Sequence, residues 1–154
     1  MTRQEFREFV QKGRMILDGA TGSNLQKRGM PTGVCPEEWI LEHPDVLIGL
    51  QREYIEAGSD VLYAPTFSGN RIKLEEYGLA DQIAEMNHRL AELSFEAIRQ
   101  ADTDRRVLVA GDLTMTGQQL YPVGSLPFEK LVDIYKEQVG FLKEAGVDFV
   151  VVET

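Results

Sequence analysis

Asp18 closes the short apolar run Met15-Ile16-Leu17 and opens the small-residue turn Gly19-Ala20-Thr21-Gly22-Ser23. A buried strand that ends in an acid and a glycine-rich turn brings one carboxylate and several bare backbone amides to the lip of a sheet, where α/β folds do their chemistry. The glycines suggest a phosphate cradle, but no Lys follows as a Walker loop requires, and Gly-x-x-Gly does not match the dinucleotide fingerprint. A carboxylate at the lip also repels phosphate. The turn therefore reads as a receptor for a cation-bearing or zwitterionic small molecule, the plainer alternative being an Asx turn that holds only its own loop. Later apolar runs end in the same way. Thr66 follows Val61-Leu62-Tyr63-Ala64, Asp112 follows Val107-Leu108-Val109-Ala110, and Glu153 follows Phe149-Val150-Val151-Val152, where an acid has no packing reason to stand. Cys35, His43 and His88 do not form a metal site by spacing. A lone cysteine in a loop reads as a small, partly buried residue, His43 before Pro44 as a helix spacer, and His88 as one of a helix's polar residues.

These residues are positioned by alternating strands and helices. Thr2 and Glu5 form a capping box that opens a helix with Phe6, Phe9 and Val10 on one face and Gly13 as its stop, and residues 1–13 are expected to cover the bottom of the sheet. Strand one is expected at residues 14–17, and residues 25–35 at a surface excursion punctuated by Gly29, Pro31 and Gly33. Pro36 and Pro44 each start a helix, and the second keeps a three- and four-residue apolar step until Gly58. Strand two is expected at residues 60–64. A helix follows whose stripe is Ile83, Met86, Leu90, Leu93, Ala97 and Ile98, and then strand three at residues 107–110. After a Gly- and Thr-rich loop, Ser125 and Pro127 suggest the cap and first turn of a helix that Gly146 ends, with strand four at residues 149–152.

The strand-helix unit recurs roughly every 45 residues. Continuous apolar strands alternating with amphipathic helices indicate a parallel sheet covered by helices. The fold class expected is α/β, the N-terminal half of a TIM (β/α)8 barrel with four β/α units, and an open doubly wound sheet is its rival. Residues 1–154 then form a single partial domain, because four strands cannot close a barrel of eight. The first and last strands of such a half present open edges, so self-association is expected.

Bulk properties restrict the partners. A hydrophobic fraction of 43% with 27% charged residues is ordinary globular composition. The net charge of -9 argues against nucleic acid and against anionic membrane as partners. No apolar run approaches the ~20 residues of a spanning helix, the N-terminus lacks a signal peptide's apolar core, and one cysteine permits no intrachain disulfide, which together suggest the cytoplasm.

Taken in order, Leu17-Asp18-Gly19-Ala20-Thr21-Gly22-Ser23, Pro36-Glu37-Glu38, Tyr54-Ile55-Glu56-Ala57-Gly58-Ser59-Asp60-Val61, Thr66-Phe67, Asn70-Arg71, Gly111-Asp112, Thr116-Gly117, Tyr121-Pro122-Val123-Gly124-Ser125 and Val152-Glu153-Thr154 resemble the homocysteine-binding barrel of cobalamin-dependent methionine synthase and its wider relatives, the homocysteine S-methyltransferases. The resemblance runs from about residue 10 to the end. It implies a parent enzyme that binds homocysteine as a zinc thiolate and methylates it to methionine from methylcobalamin, itself recharged from methyltetrahydrofolate. A cobalamin domain of the parent protein is then a partner. It also implies substrate roles: Glu153 for the ammonium, Asp18 with the backbone of Gly19 and Ala20 for the ammonium and carboxylate, and Thr66 and Asp112 on the same rim. No catalytic or metal residue is expected within this chain, since the family's three zinc thiolates come from the second half of the barrel. Pro65, Met115 and Ser23 depart from the family pattern and put the loop detail and the donor in question. The alternatives are a betaine- or other-donor homocysteine methyltransferase, a non-catalytic binding half-barrel, or a magnesium site in a lyase barrel, which the motif order does not fit.

Overall fold

A computed structural model describes residues 1–153; Thr154, the last residue of the Val-Glu-Thr terminus, lies outside the described residues. Helix α1 (Arg3–Gln11) opens with the expected capping box: the Glu5 amide donates to the Thr2 hydroxyl at 3.2 Å and the Thr2 amide to the Glu5 carboxylate at 2.6 Å. Short helices α2 (Gly22–Lys27) and α3 (Pro36–Glu42) precede α4 (Pro44–Ala57), and both prolines stand in first turns, where a missing N–H costs nothing. Strand β1 (Val61–Ala64) leads through α5 (Arg71–Glu75) and a 3-10 turn to α6 (Ile83–Gln100). Strand β2 (Leu108–Leu113), helix α7 (Phe128–Glu144) and strand β3 (Phe149–Val152) follow.

The sheet is parallel in the order β1-β2-β3, so each crossover carries helices back over the same face, as in a barrel half. Three expectations are corrected. Strand one shrinks to a single parallel bridge, Leu17 to Val61. It lies at the rim of the sheet with no neighbour on its far side among the described residues, and Ile16 and Leu17 remain 53% and 40% exposed, so little burial stabilises a longer ladder. Strand β2 runs past Ala110 through Gly111, Asp112 and Leu113, which places Asp112 inside the ladder instead of in the following loop. Ser125 caps nothing: α7 starts at Phe128 from Pro127, with no side-chain cap bond.

Side chains alternate across the sheet as a pleated strand requires. One face carries Val61, Tyr63, Leu108, Ala110, Phe149 and Val151, against which Phe9, Met1 and Met15 pack. Phe6 meets Phe149 edge-on with ring centroids 5.1 Å apart, so α1 lies against the N-terminal end of the sheet. The other face carries Leu62, Ala64 and Val109 into the helix layer, where Ala91, Phe95, Ile98 and Val147 cover the last two. Gly111 leaves room there for Leu142, whose Cδ1 would lie 2.8 Å from an added Cβ. Val150 and Val152 on the same side of β3 stay 37% and 71% exposed.

A five-residue phrase recurs at the entry to two strands. Glu56-Ala57-Gly58-Ser59-Asp60 precedes β1, and Glu144-Ala145-Gly146-Val147-Asp148 precedes β3. Gly58 and Gly146 take left-handed φ values of 107° and 85°, which end the helix without a Cβ clash. The aspartate then accepts an amide from the neighbouring strand: Ile16 donates to Asp60 at 3.0 Å, and Val109 donates to Asp148 at 3.0 Å. Register is thereby locked at the bottom of the sheet by side chains.

Candidate functional site

Three strand ends bring their acids to one place. The Asp18 amide donates to the Val61 carbonyl at 3.0 Å, and its carboxylate accepts the Tyr63 amide at 3.0 Å, so Asp18 extends the ladder of β1 with its own side chain. Asp112 stands near the end of β2 and is 5% exposed. Glu153 follows β3, its amide donating to the Leu113 carbonyl at 2.9 Å, and its side chain is exposed. A cavity of about 630 Å³ opens between them, lined by Asp18, Gly19, Ala20, Asp112 and Glu153 and walled by Tyr63, Phe67, Ile40 and Met30.

Of the six residues expected to bind substrate, five line this cavity and Thr66 does not. Thr66 is fully buried, and its hydroxyl donates to the Asp112 carbonyl at 2.9 Å and accepts the Asp112 amide at 3.0 Å. The hydroxyl thus acts as one more rung of the β1–β2 ladder and sets the height of Asp112. Behind it, the Gln138 side-chain amide donates to the Thr66 carbonyl at 2.9 Å, and Asn87 donates to the Gly69 carbonyl at 2.9 Å.

The Gly19-Ala20 turn is held from outside. The Tyr54 hydroxyl donates to the Ala20 carbonyl at 2.9 Å and accepts from Asn24 at 3.0 Å, and the Tyr54 ring lies so close to Gly19 that an added Cβ would stand 2.9 Å from it. Glycine is needed at position 19 for this approach.

Glu37 is the site residue that sequence reasoning missed. In the sequence it stands out only within the Pro36-Glu37-Glu38 motif, yet it is 2% exposed and lines the cavity, accepting the Ser68 amide at 2.7 Å and the Cys35 thiol at 3.5 Å. The signal was its spacing: Glu37 lies three residues before Ile40 and shares the buried face of α3.

The electrostatics follow from this crowding. Burial pushes the Asp18 carboxyl up to about 7, against the pull of the Tyr63 amide, and Glu153 adds to the rise. Burial, then Glu153 and Asp18, raise Asp112 to about 7 as well. Burial raises Glu37 and the Tyr63 phenol, the latter helped by the charges of Glu153, Asp112 and Asp18. Among the described residues no Lys, Arg or His lines the cavity. Such a lining suits an ammonium group.

Cys35 is 3% exposed, and burial with the adjacent Glu37 pushes its thiol up to about 11, away from the thiolate a metal requires. Among the described residues no group of three His, Cys, Asp or Glu side chains is placed to hold a metal ion.

The family model described as homocysteine S-methyltransferase matches residues 15–154. Methionine synthase of Mycobacterium leprae is 31% identical over 149 residues, covering 91% of this chain and 12% of that protein. Betaine–homocysteine S-methyltransferase 1 of Mus musculus is 29% identical over 150 residues, covering 95% of this chain and 36% of that protein. Among solved structures, the homocysteine methyltransferase MmuM of Escherichia coli in its metallated form superposes with a TM-score of 0.76 at 21% identity, covering 96% of this chain and 56% of that one. The chain therefore spans about half of that structure, and less of the two sequence relatives.

Proposed function

The chain belongs to the homocysteine S-methyltransferase family, and from that premise we propose that it supplies the half-barrel that receives the amino-acid end of homocysteine in a methyltransferase. The observation that carries this reading is the convergence of Asp18, Asp112 and Glu153, remote in sequence, on one cavity that no Lys, Arg or His lines among the described residues. In the proposed complex Glu153 and Asp18 take the ammonium, and the amides of Gly19 and Ala20 take the carboxylate. Thr66 holds Asp112 at the rim without touching the ligand. Pinning the amino-acid end this way orients the sulfur toward the open side of the half-barrel, which converts an encounter into a positioned reaction.

The zinc that the resemblance implies does not fit the residues of this chain, and no step is derived through it. Its ligands are assigned, within the proposal, to the second half of the barrel in the parent protein. The methyl donor assigned is methylcobalamin, with betaine as the alternative, and turnover with each donor distinguishes them. Titration of homocysteine into the full-length protein tests the site. Glu153→Gln is expected to weaken binding about five- to tenfold, a moderate loss because the side chain is partly screened by water. Unchanged affinity removes Glu153 from the site and the reading with it.

A further inference from the structure

The cavity holds more negative charge than its proposed ligand can neutralise. Asp18 comes from the rim of the sheet, Glu37 from α3, Asp112 from β2 and Glu153 from the end of β3, and the Tyr63 phenol from β1 faces the same space. Among the described residues no Lys, Arg or His lines the cavity, and the charge of Lys73 on α5 offsets part of the rise at Glu37. Homocysteine brings one ammonium and its own carboxylate. Asp112 is poorly placed to remain ionised. It is 5% exposed, its Oδ1 has no hydrogen-bond partner among the described residues, and Thr66 binds only its backbone. A buried carboxylate oxygen without a donor is costly, and like charges around one cavity cannot all ionise together.

We propose that the empty cavity stores a proton on the Asp112 carboxyl and releases it to solvent when an ammonium group enters, so that the site exchanges a proton for a cation. The inference rests on the reading that homocysteine occupies this cavity. Atoms balance simply: the Asp112 O–H bond breaks, the proton leaves to water, and an N–H of the ammonium takes its place beside the oxygen. The class of ligand follows. An α-amino thiol displaces the proton, whereas the same thiol acid lacking its amino group leaves it in place.

Isothermal titration of homocysteine into the full-length protein, in buffers of different ionisation heat, counts the protons released. Any proton lost from the thiol is common to wild type and Asp112→Asn, so the difference between them reports Asp112. At pH 6 the wild type is expected to release close to one proton more than the variant, and the excess is expected to vanish by pH 8. Over that interval wild-type affinity should rise about tenfold more than that of the variant, as linkage requires for a group titrating near 7. Equal proton counts at pH 6 overturn the proposal while leaving the binding site intact, whereas absence of homocysteine binding to the wild type overturns both. If the variant does not fold, carbon-13 NMR of the wild-type aspartate carboxyls decides. Titration of Asp112 near pH 7 that disappears on saturation with homocysteine supports the proposal, and a midpoint of about 4 in the free protein refutes it.

Discussion

Thr66→Val separates polar from apolar stabilisation at the rim of the sheet. The substitution keeps the shape of the side chain and removes only the hydroxyl that donates to the Asp112 carbonyl at 2.9 Å and accepts its amide at 3.0 Å. Both backbone groups are then buried without partners, at about 1–2 kcal/mol each, or about 2–4 kcal/mol together. The added methyl returns about 1 kcal/mol of apolar burial, leaving a net loss of about 1–3 kcal/mol. Thr66→Ser keeps both hydrogen bonds and loses one buried methyl, about 1 kcal/mol. Urea unfolding, with the midpoints compared at equal slope, is expected to order the proteins wild type, Ser, Val. A Val variant at or above the Ser variant would show that the side chain matters as filler and that Asp112 is held by other means.

Three further outcomes are expected. Gly111→Ala should lose about 1–3 kcal/mol, because its Cβ would meet Leu142 at 2.8 Å, and combining it with Leu142→Ala should cost less than the sum of the two in a double-mutant cycle. Raised carboxyls at Asp18 and Asp112 mean that the folded protein binds more protons than the unfolded chain between about pH 4 and 7. Their contribution is therefore fullest in acid and is lost as pH rises through 7; unfolding midpoints at pH 5 and pH 8 should differ less in Asp112→Asn than in wild type, and an equal difference would refute the assignment. The open edge at Leu17 and the bare outer face of Val150 and Val152 should drive the isolated chain to associate at tens of micromolar, and a compact monomer in sedimentation velocity would argue against it.

The architecture was legible wherever local pattern and tertiary burial agreed. Apolar runs at β1 and β3, helix starts at Pro36 and Pro44, and the stops at Gly58 and Gly146 all appear where residue type alone places them. Agreement ended where the reason lay in a distant partner. Met15-Ile16-Leu17 has the composition of a strand, but composition does not reveal that one flank has no neighbour. Asp112 looked like the residue after a strand because Gly-Asp interrupts an apolar run, yet Leu142 fills the space over Gly111 and the ladder continues. Thr66 was selected for its position at a strand end, and the position is right, but its hydroxyl is spent on backbone 46 residues away. Glu37 was hidden by a sufficient local explanation, since acids belong in first turns whether or not they are buried.

The contact between Phe6 and Phe149 ties the first helix to the first residue of the last strand. Its consequence is one of assembly order. The end of the sheet is already floored by Phe6, Phe9 and Met15, so any strand added beside β3 closes around an occupied base and has only the acidic rim left to complete.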